Sequence, residues 1–173
     1  MRTIATPALT LEPQTAAHAE EMFVVLGDPA IYEYENVPPP SVEWLRARFA
    51  RLESRQSSDG QEQWLNWVIR LPSSELAGYV QATLRLNGRT AIAYELSSRY
   101  WGQGLASRAV EAMIGELVEH YRVRGLSAVF KRENRRSMRL LERQGFRLAS
   151  PDEHLKQQVA PGELLMYRDI ERP

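Results

Sequence analysis

The 173-residue chain has no cysteine, which excludes a disulfide framework, a thiolate metal site and a cysteine nucleophile. Its three histidines, His18, His120 and His154, lie far apart without the close spacing of metal ligands, so packing roles are expected and no metal. No apolar run approaches the roughly 18–20 residues that cross a bilayer. The opening residues Met1 to Pro7 lack an apolar signal core, so a cytoplasmic protein without a membrane partner is expected. No Gly-Lys-Ser or Gly-Lys-Thr is present, which excludes a Walker phosphate loop. Formal net charge is zero, which argues against a nucleic-acid partner.

What is present fits an ordinary soluble globular chain: 43% hydrophobic and 25% charged residues, enough to bury a core as one domain over 1–173. Charge is unevenly spread. Residues 1–45 hold seven acids against one base, and residues 122–147 hold nine bases against two acids. Either both are solvated faces, or an acidic lobe attracts a cation while a basic lobe attracts an anion. The sequence leaves monomer and homodimer equally open.

Leu9–Leu11 reads as a first strand, and a helix runs from a Thr15 N-cap to about Leu26. Residues 30–40 end in three prolines and form a loop, and a second helix follows a Ser41 cap. Three strands are expected over Trp64–Leu71, Leu76–Leu86 and Thr90–Ser97, separated by Pro72-Ser73-Ser74 and Asn87-Gly88. The next helix carries an apolar stripe at Leu105, Ala109, Val110, Met113, Ile114, Leu117, Val118 and Tyr121, with Gly125 positioned to end it. Leu126–Phe130 is a short strand, Asn134 caps a helix to Gln144, and Gly145 takes its C′ position. Strands at Phe146–Ala149 and Leu164–Arg168 flank a polar loop. The order predicts a mixed α/β (α+β) fold. Its mostly antiparallel sheet has about six to seven strands flanked by four helices, with one right-handed parallel crossover from Thr90 to Phe130.

Between the third of those strands and the striped helix lies Tyr100-Trp101-Gly102-Gln103-Gly104-Leu105-Ala106-Ser107. Small residues there admit close backbone approach, and a helix N-terminus offers unpaired amides and a positive dipole end, a recipe for holding phosphate. A degenerate dinucleotide fingerprint or a purely structural turn fits the same letters. About thirty residues later comes Asn134-Arg135-Arg136-Ser137, leading to Leu140-Leu141-Glu142-Arg143-Gln144-Gly145-Phe146. Together the two segments resemble the GNAT acetyltransferase superfamily, most closely its Rim-type group, which acetylates ribosomal-protein N-termini.

The resemblance implies acetyl-CoA as co-substrate and an amine acceptor, either a small molecule or a protein N-terminus. Trp101, Gly104 and Ala106 match the family's pyrophosphate loop, with Gly102, Gln103, Leu105 and Ser107 as its neighbours. Trp101 departs from the general pattern but is usual in the Rim-type group. Leu96 matches the position that pairs with pantetheine like an added strand, and Asn134 and Ser137 match polar positions at the cofactor. Lys131 and the nearby arginines are candidates for the 3′-phosphate. A backbone bulge in the Thr90–Ser97 strand is expected to stabilise the oxyanion. Glu95 alternates with Leu96 and projects from the other face as candidate general base. Leu141 stands where many members carry an acid tyrosine, leaving Ser137, Tyr94, Tyr167 or solvent for that role. A further expectation is that Glu20, Glu21, Glu33 and Glu35 bias the acceptor site toward cations. The alternative to an enzyme is a catalytically idle CoA-binding regulatory module.

Overall fold

The computed structural model describes residues 1–34, 36–85 and 90–170. Its strands form one sheet, in the order β1 (Ile4–Ala5), β2 (Thr10–Pro13), β3 (Glu62–Arg70), β4 (Leu76–Arg85), β5 (Thr90–Leu96), β6 (Gly125–Lys131), β8 (Glu163–Asp169) and β7 (Arg147–Leu148). All neighbours are antiparallel except β5 and β6. The helices are α1 (Ala19–Val25), α2 (Val42–Leu52), α3 (Leu105–Tyr121), α4 (Arg135–Arg143) and α5 (Pro151–Lys156). The mixed, mostly antiparallel sheet is therefore as expected, with eight strands and five α-helices among the described residues. The additions are the two-residue β1 and the α5 turn, too short to leave a periodic pattern in sequence. Pro151 at N1 and a Ser150–Glu153 capping box start α5 inside the expected polar loop.

Alternation along the strands divides two layers. Leu11, Trp67, Val80, Ile92 and Leu126 face α3 and α4 in the main core. Val68 and Leu76 face α1 and α2 in a second, smaller one. The α3 stripe is buried at Ala109, Val110, Met113, Ile114 and Leu117, as its spacing requires. Asn134 accepts the Ser137 amide at 3.0 Å, and Gly145 stands at φ 78° after α4.

Three local expectations change. Thr15 caps a short 3-10 turn over Ala16–His18 ahead of α1, with the His18 ring accepting the Thr15 amide at 3.0 Å. Arg122, at φ 53°, takes the left-handed position after α3, while Gly125 begins β6. The register irregularity falls on β4: Ile69 pairs with Gly78 and Arg70 with Leu76, leaving Ala77 as the extra residue. The Asn87-Gly88 turn lies outside the described residues.

Candidate active site

β5 and β6 pair only at Thr90–Leu126 and Ala91–Ser127; beyond that the two strands no longer pair. β5 stays laddered to β4 up to Leu96, and β6 to β8 up to Lys131. The split therefore opens in the middle of the sheet. The Ser97 amide donates to the Ala77 carbonyl, so ladder alternation turns the backbone groups of Leu96 away from β4, toward the split. Gly78 lets β4 approach closely here. A Cβ on it would lie 2.0 Å from the Glu95 carbonyl oxygen and 2.8 Å from the Leu96 Cα.

The glycine loop stands at the same end. Gly102 and Gly104 hold φ 74° and 75°, the left-handed region that costs other residues strain. Gly104 occupies the N-cap of α3 with no side chain to cap it, so the first amides, of Leu105, Ala106 and Ser107, are left for another partner. Gln103 donates to the Arg99 carbonyl at 3.2 Å, and the Ser107 carbonyl accepts from Gln144 at 3.3 Å. Trp101 is a structural hub. Its indole N–H donates to the Leu96 carbonyl at 2.8 Å, and the Arg136 guanidinium stacks 3.9 Å from its ring centre. Since the indole already holds that carbonyl, the edge Leu96 offers to a ligand narrows to its amide side.

The first turn of α4 closes the other side. Asn134 spends its side-chain oxygen on the cap, and the Tyr94 hydroxyl donates to the Ser137 carbonyl at 3.4 Å. Burial pushes the Tyr94 phenol up to about 12, so it is protonated at neutral pH. Leu141 is 1% exposed in the main core. Tyr167 packs in a separate cluster with Ala149 and Leu165, away from α4. Lys131 pairs with Glu163 at 2.6 Å.

Glu95 lies on the α1–α2 face, directly across from Tyr79. Asn36 Nδ2 donates to its carboxylate at 3.0 Å, and Tyr79 shares a side-chain hydrogen bond with it. Burial, reinforced by the Glu95 charge, raises the Tyr79 phenol far above its ordinary value. Tyr32 is pushed up to about 12, chiefly by burial, with Glu95 and Asp28 adding. The segment after α1 is tied down as a roof: Asp28 accepts from the Ser98 amide at 2.7 Å and the Ser97 hydroxyl at 3.1 Å, and Glu33 pairs with Arg136 at 2.7 Å. Burial works against the Asp28 charge, but bonds from Ser98, Ala30 and Ser97 outweigh it and hold the carboxyl below its usual value. Glu20 and Glu21 pair with Arg46 and Arg70, each at 2.8 Å, so these acids are matched by arginines; Glu35 lies outside the described residues.

The structure thus gathers the glycine loop, Leu96, Asn134 and Ser137 around one split, with Glu95 on the adjoining face. Asn36, Tyr79 and Arg136 were not singled out from the sequence. The Tyr79–Glu95 contact needs the β4–β5 register, and the Arg136–Trp101 stack joins residues thirty-five positions apart, so no local pattern marks either.

The family model described as Acetyltransferase (GNAT) domain matches residues 8–147. An uncharacterized N-acetyltransferase, p20, of Bacillus licheniformis is 26% identical over 148 residues, covering 84% of this chain and 83% of that one. The solved structure of RimL, a ribosomal L7/L12 α-N-protein acetyltransferase in complex with coenzyme A, superposes with TM-score 0.80 at 19% identity over 98% of each chain. A ribosomal-protein-S5-alanine acetyltransferase from Vibrio fischeri gives TM-score 0.80 at 16% identity over 100% of each chain. The microcin C7 self-immunity acetyltransferase MccE, solved with acetyl-CoA and AMP, gives 0.76 at 16% identity, covering 95% of this chain and 94% of that one. At such identities the structural likeness establishes a shared fold.

Proposed function

Since the chain belongs to the family of GNAT-domain acetyltransferases, we propose that it moves an acetyl group from acetyl-CoA to a primary amine by direct attack. One observation carries the reading: the parallel pair splits beside an uncapped helix N-terminus delimited by two left-handed glycines. The amides of Leu105, Ala106 and Ser107 suit the pyrophosphate, with Gly102, Gly104 and Ala106 leaving room for close approach. The backbone of Leu96 suits pantetheine, and Asn134 and Ser137 line its other side. The exposed arginines of α4, Arg135 and Arg139, suit the 3′-phosphate better than Lys131, which is engaged with Glu163.

The acceptor's ammonium gives a proton to Glu95, and the free amine nitrogen bonds to the thioester carbon. As the carbon–sulfur bond breaks, the nitrogen sheds its second proton and the thiolate gains one, the transfer being relayed through Ser137, Tyr94 or water so that the relay group ends as it began. Tyr94 is placed for that task by its hydroxyl, which lies 3.4 Å from the Ser137 carbonyl at the first turn of α4. No enzyme nucleophile is needed when both reactants are held together. A protein N-terminus or a small amine fits, in the cytoplasm, as monomer or homodimer. The relatives solved with coenzyme A or acetyl-CoA support the choice of co-substrate.

A second reading, an idle CoA-binding regulatory module, draws on Leu141, whose buried side chain offers no acid where many relatives have one. A thermal shift on adding acetyl-CoA tests both readings; no stabilisation overturns them together. Thiol release over a panel of amines then separates them: release with an amine is expected, and binding without release favours the module.

A further inference from the structure

Cross-strand register places Gln14, Asn66, Gln81 and Ala93 in one row, on the same face as Glu95. Pro13 pairs with Trp67, Asn66 with Gln81 and Gln81 with Ala93, and the Gln14 amide donates to the Asn66 carbonyl at 2.9 Å. Trp64, Thr83, Ala91 and, across the parallel pair, Ser127 form the next row. Ala93 is two residues from Glu95, about 7 Å along the strand, and Gln81 lies diagonally across at a similar distance.

Asn66 is 8% exposed and its carboxamide makes no hydrogen bond among the described residues; the Gln14 Nε2, on the neighbouring strand, is wholly buried without a partner among them. Buried amides are nearly always satisfied, so the Gln14 Nε2 fits an absent partner. Gln81 is half-buried, and its side chain makes no hydrogen bond among the described residues. Neither row contains an ionisable carboxyl, amine or guanidinium. An acceptor with its ammonium at Glu95 would lay its body on neutral groups that both donate and accept. A peptide-type amide matches them on both counts. A second ammonium there would lose water and find no carboxylate within the rows, since Glu62, bonded to the Trp64 indole, is already paired with Arg85 at 2.9 Å.

We propose that Asn66 and Gln81, backed by Gln14, form the acceptor-specificity site, selecting amines that carry an uncharged amide group over simple or polycationic alkylamines. The inference rests on the acetyltransferase reading above. Its test is steady-state thiol release with glycylglycinamide, n-butylamine and 1,4-diaminobutane. The expected result is a kcat/KM at least about tenfold higher for the amide-bearing amine. Gln81→Leu and Asn66→Leu should each raise KM for glycylglycinamide about three- to tenfold. They should leave kcat, n-butylamine turnover and the acetyl-CoA thermal shift as in the parent protein. Gln81→Leu, at a half-buried site, serves if Asn66→Leu does not fold. Equal use of all three amines, preference for diaminobutane, or a Gln81→Leu effect shared by every acceptor overturns the specificity site alone. Failure of all amines with acetyl-CoA binding intact overturns the transfer reading and this inference with it.

Discussion

Glu95 is anchored from two neighbouring elements, by the Asn36 amide at 3.0 Å and by the Tyr79 hydroxyl across the strand pair. Both donate to the carboxylate, so its oxygens are oriented before any acceptor arrives. An amide in its place would keep the size and lose the basicity. Glu95→Gln is expected to lower kcat for amine acetylation by about 10²–10⁴-fold, with the acetyl-CoA thermal shift preserved. Stopped thiol release at saturating amine measures it, and an unchanged kcat removes Glu95 from the base role. Trp101 shows a different kind of dependence. Its indole serves both the Leu96 carbonyl and the Arg136 guanidinium, which gives the aromatic a use that the general loop pattern does not require.

At the scale of elements, two glycines do separate jobs. Gly104 has open space around its Cβ position but a φ of 75°, so only backbone conformation demands glycine. Gly104→Ala is expected to cost about 1 kcal/mol of stability and, on the proposed function, to weaken acetyl-CoA binding, because the new methyl group would stand in the path proposed for the phosphate. Melting curves with and without acetyl-CoA separate the two effects. Gly78 is the opposite case: a Cβ there meets the backbone of Glu95 and Leu96, neither of which can swing aside. Gly78→Ala is therefore expected to destabilise by about 1–3 kcal/mol or more, read as a fall in denaturation midpoint. It should also depress activity, since the displaced residues are the candidate base and the cofactor edge. A preserved midpoint would show that β4 and β5 shift apart without penalty.

For the molecule as a whole, acid sensitivity follows from carboxyls whose folded state favours the charge. The Glu12 carboxyl is lowered chiefly by its hydrogen bond from Arg70, and Asp28 is lowered because bonds from Ser98, Ala30 and Ser97 outweigh burial. Groups with depressed folded values contribute fully above their ordinary carboxylate range and lose that contribution as pH falls below it. Stability should thus be flat near neutrality and decline below about pH 4.5, and Glu12→Gln should flatten part of that decline in chemical unfolding followed from pH 7 to 3. The sequence carried much of the frame. Period-3.6 apolar spacing in α3, the Asn134 cap and Gly145 after α4 are local, and each is where local chemistry requires it. The glycine loop was legible for the same reason, because left-handed backbone selects its own residue type. Short elements such as β1 and α5 were not, having too few residues to show a period. Nor was the left-handed turn at Arg122, where a residue other than glycine takes a conformation that sequence assigns to Gly125. By itself, then, the sequence determined the order of elements, the loop that suits a phosphate, and the strand on which Glu95 and Leu96 point to opposite faces. Only the tertiary structure decided that β5 and β6 part after two pairs, that Tyr79 and Asn36 meet at Glu95, and that the Gln14 carboxamide is buried without a partner among the described residues on the same face. Those are contacts between residues distant in the chain, set by strand register and packing, and no local pattern encodes them.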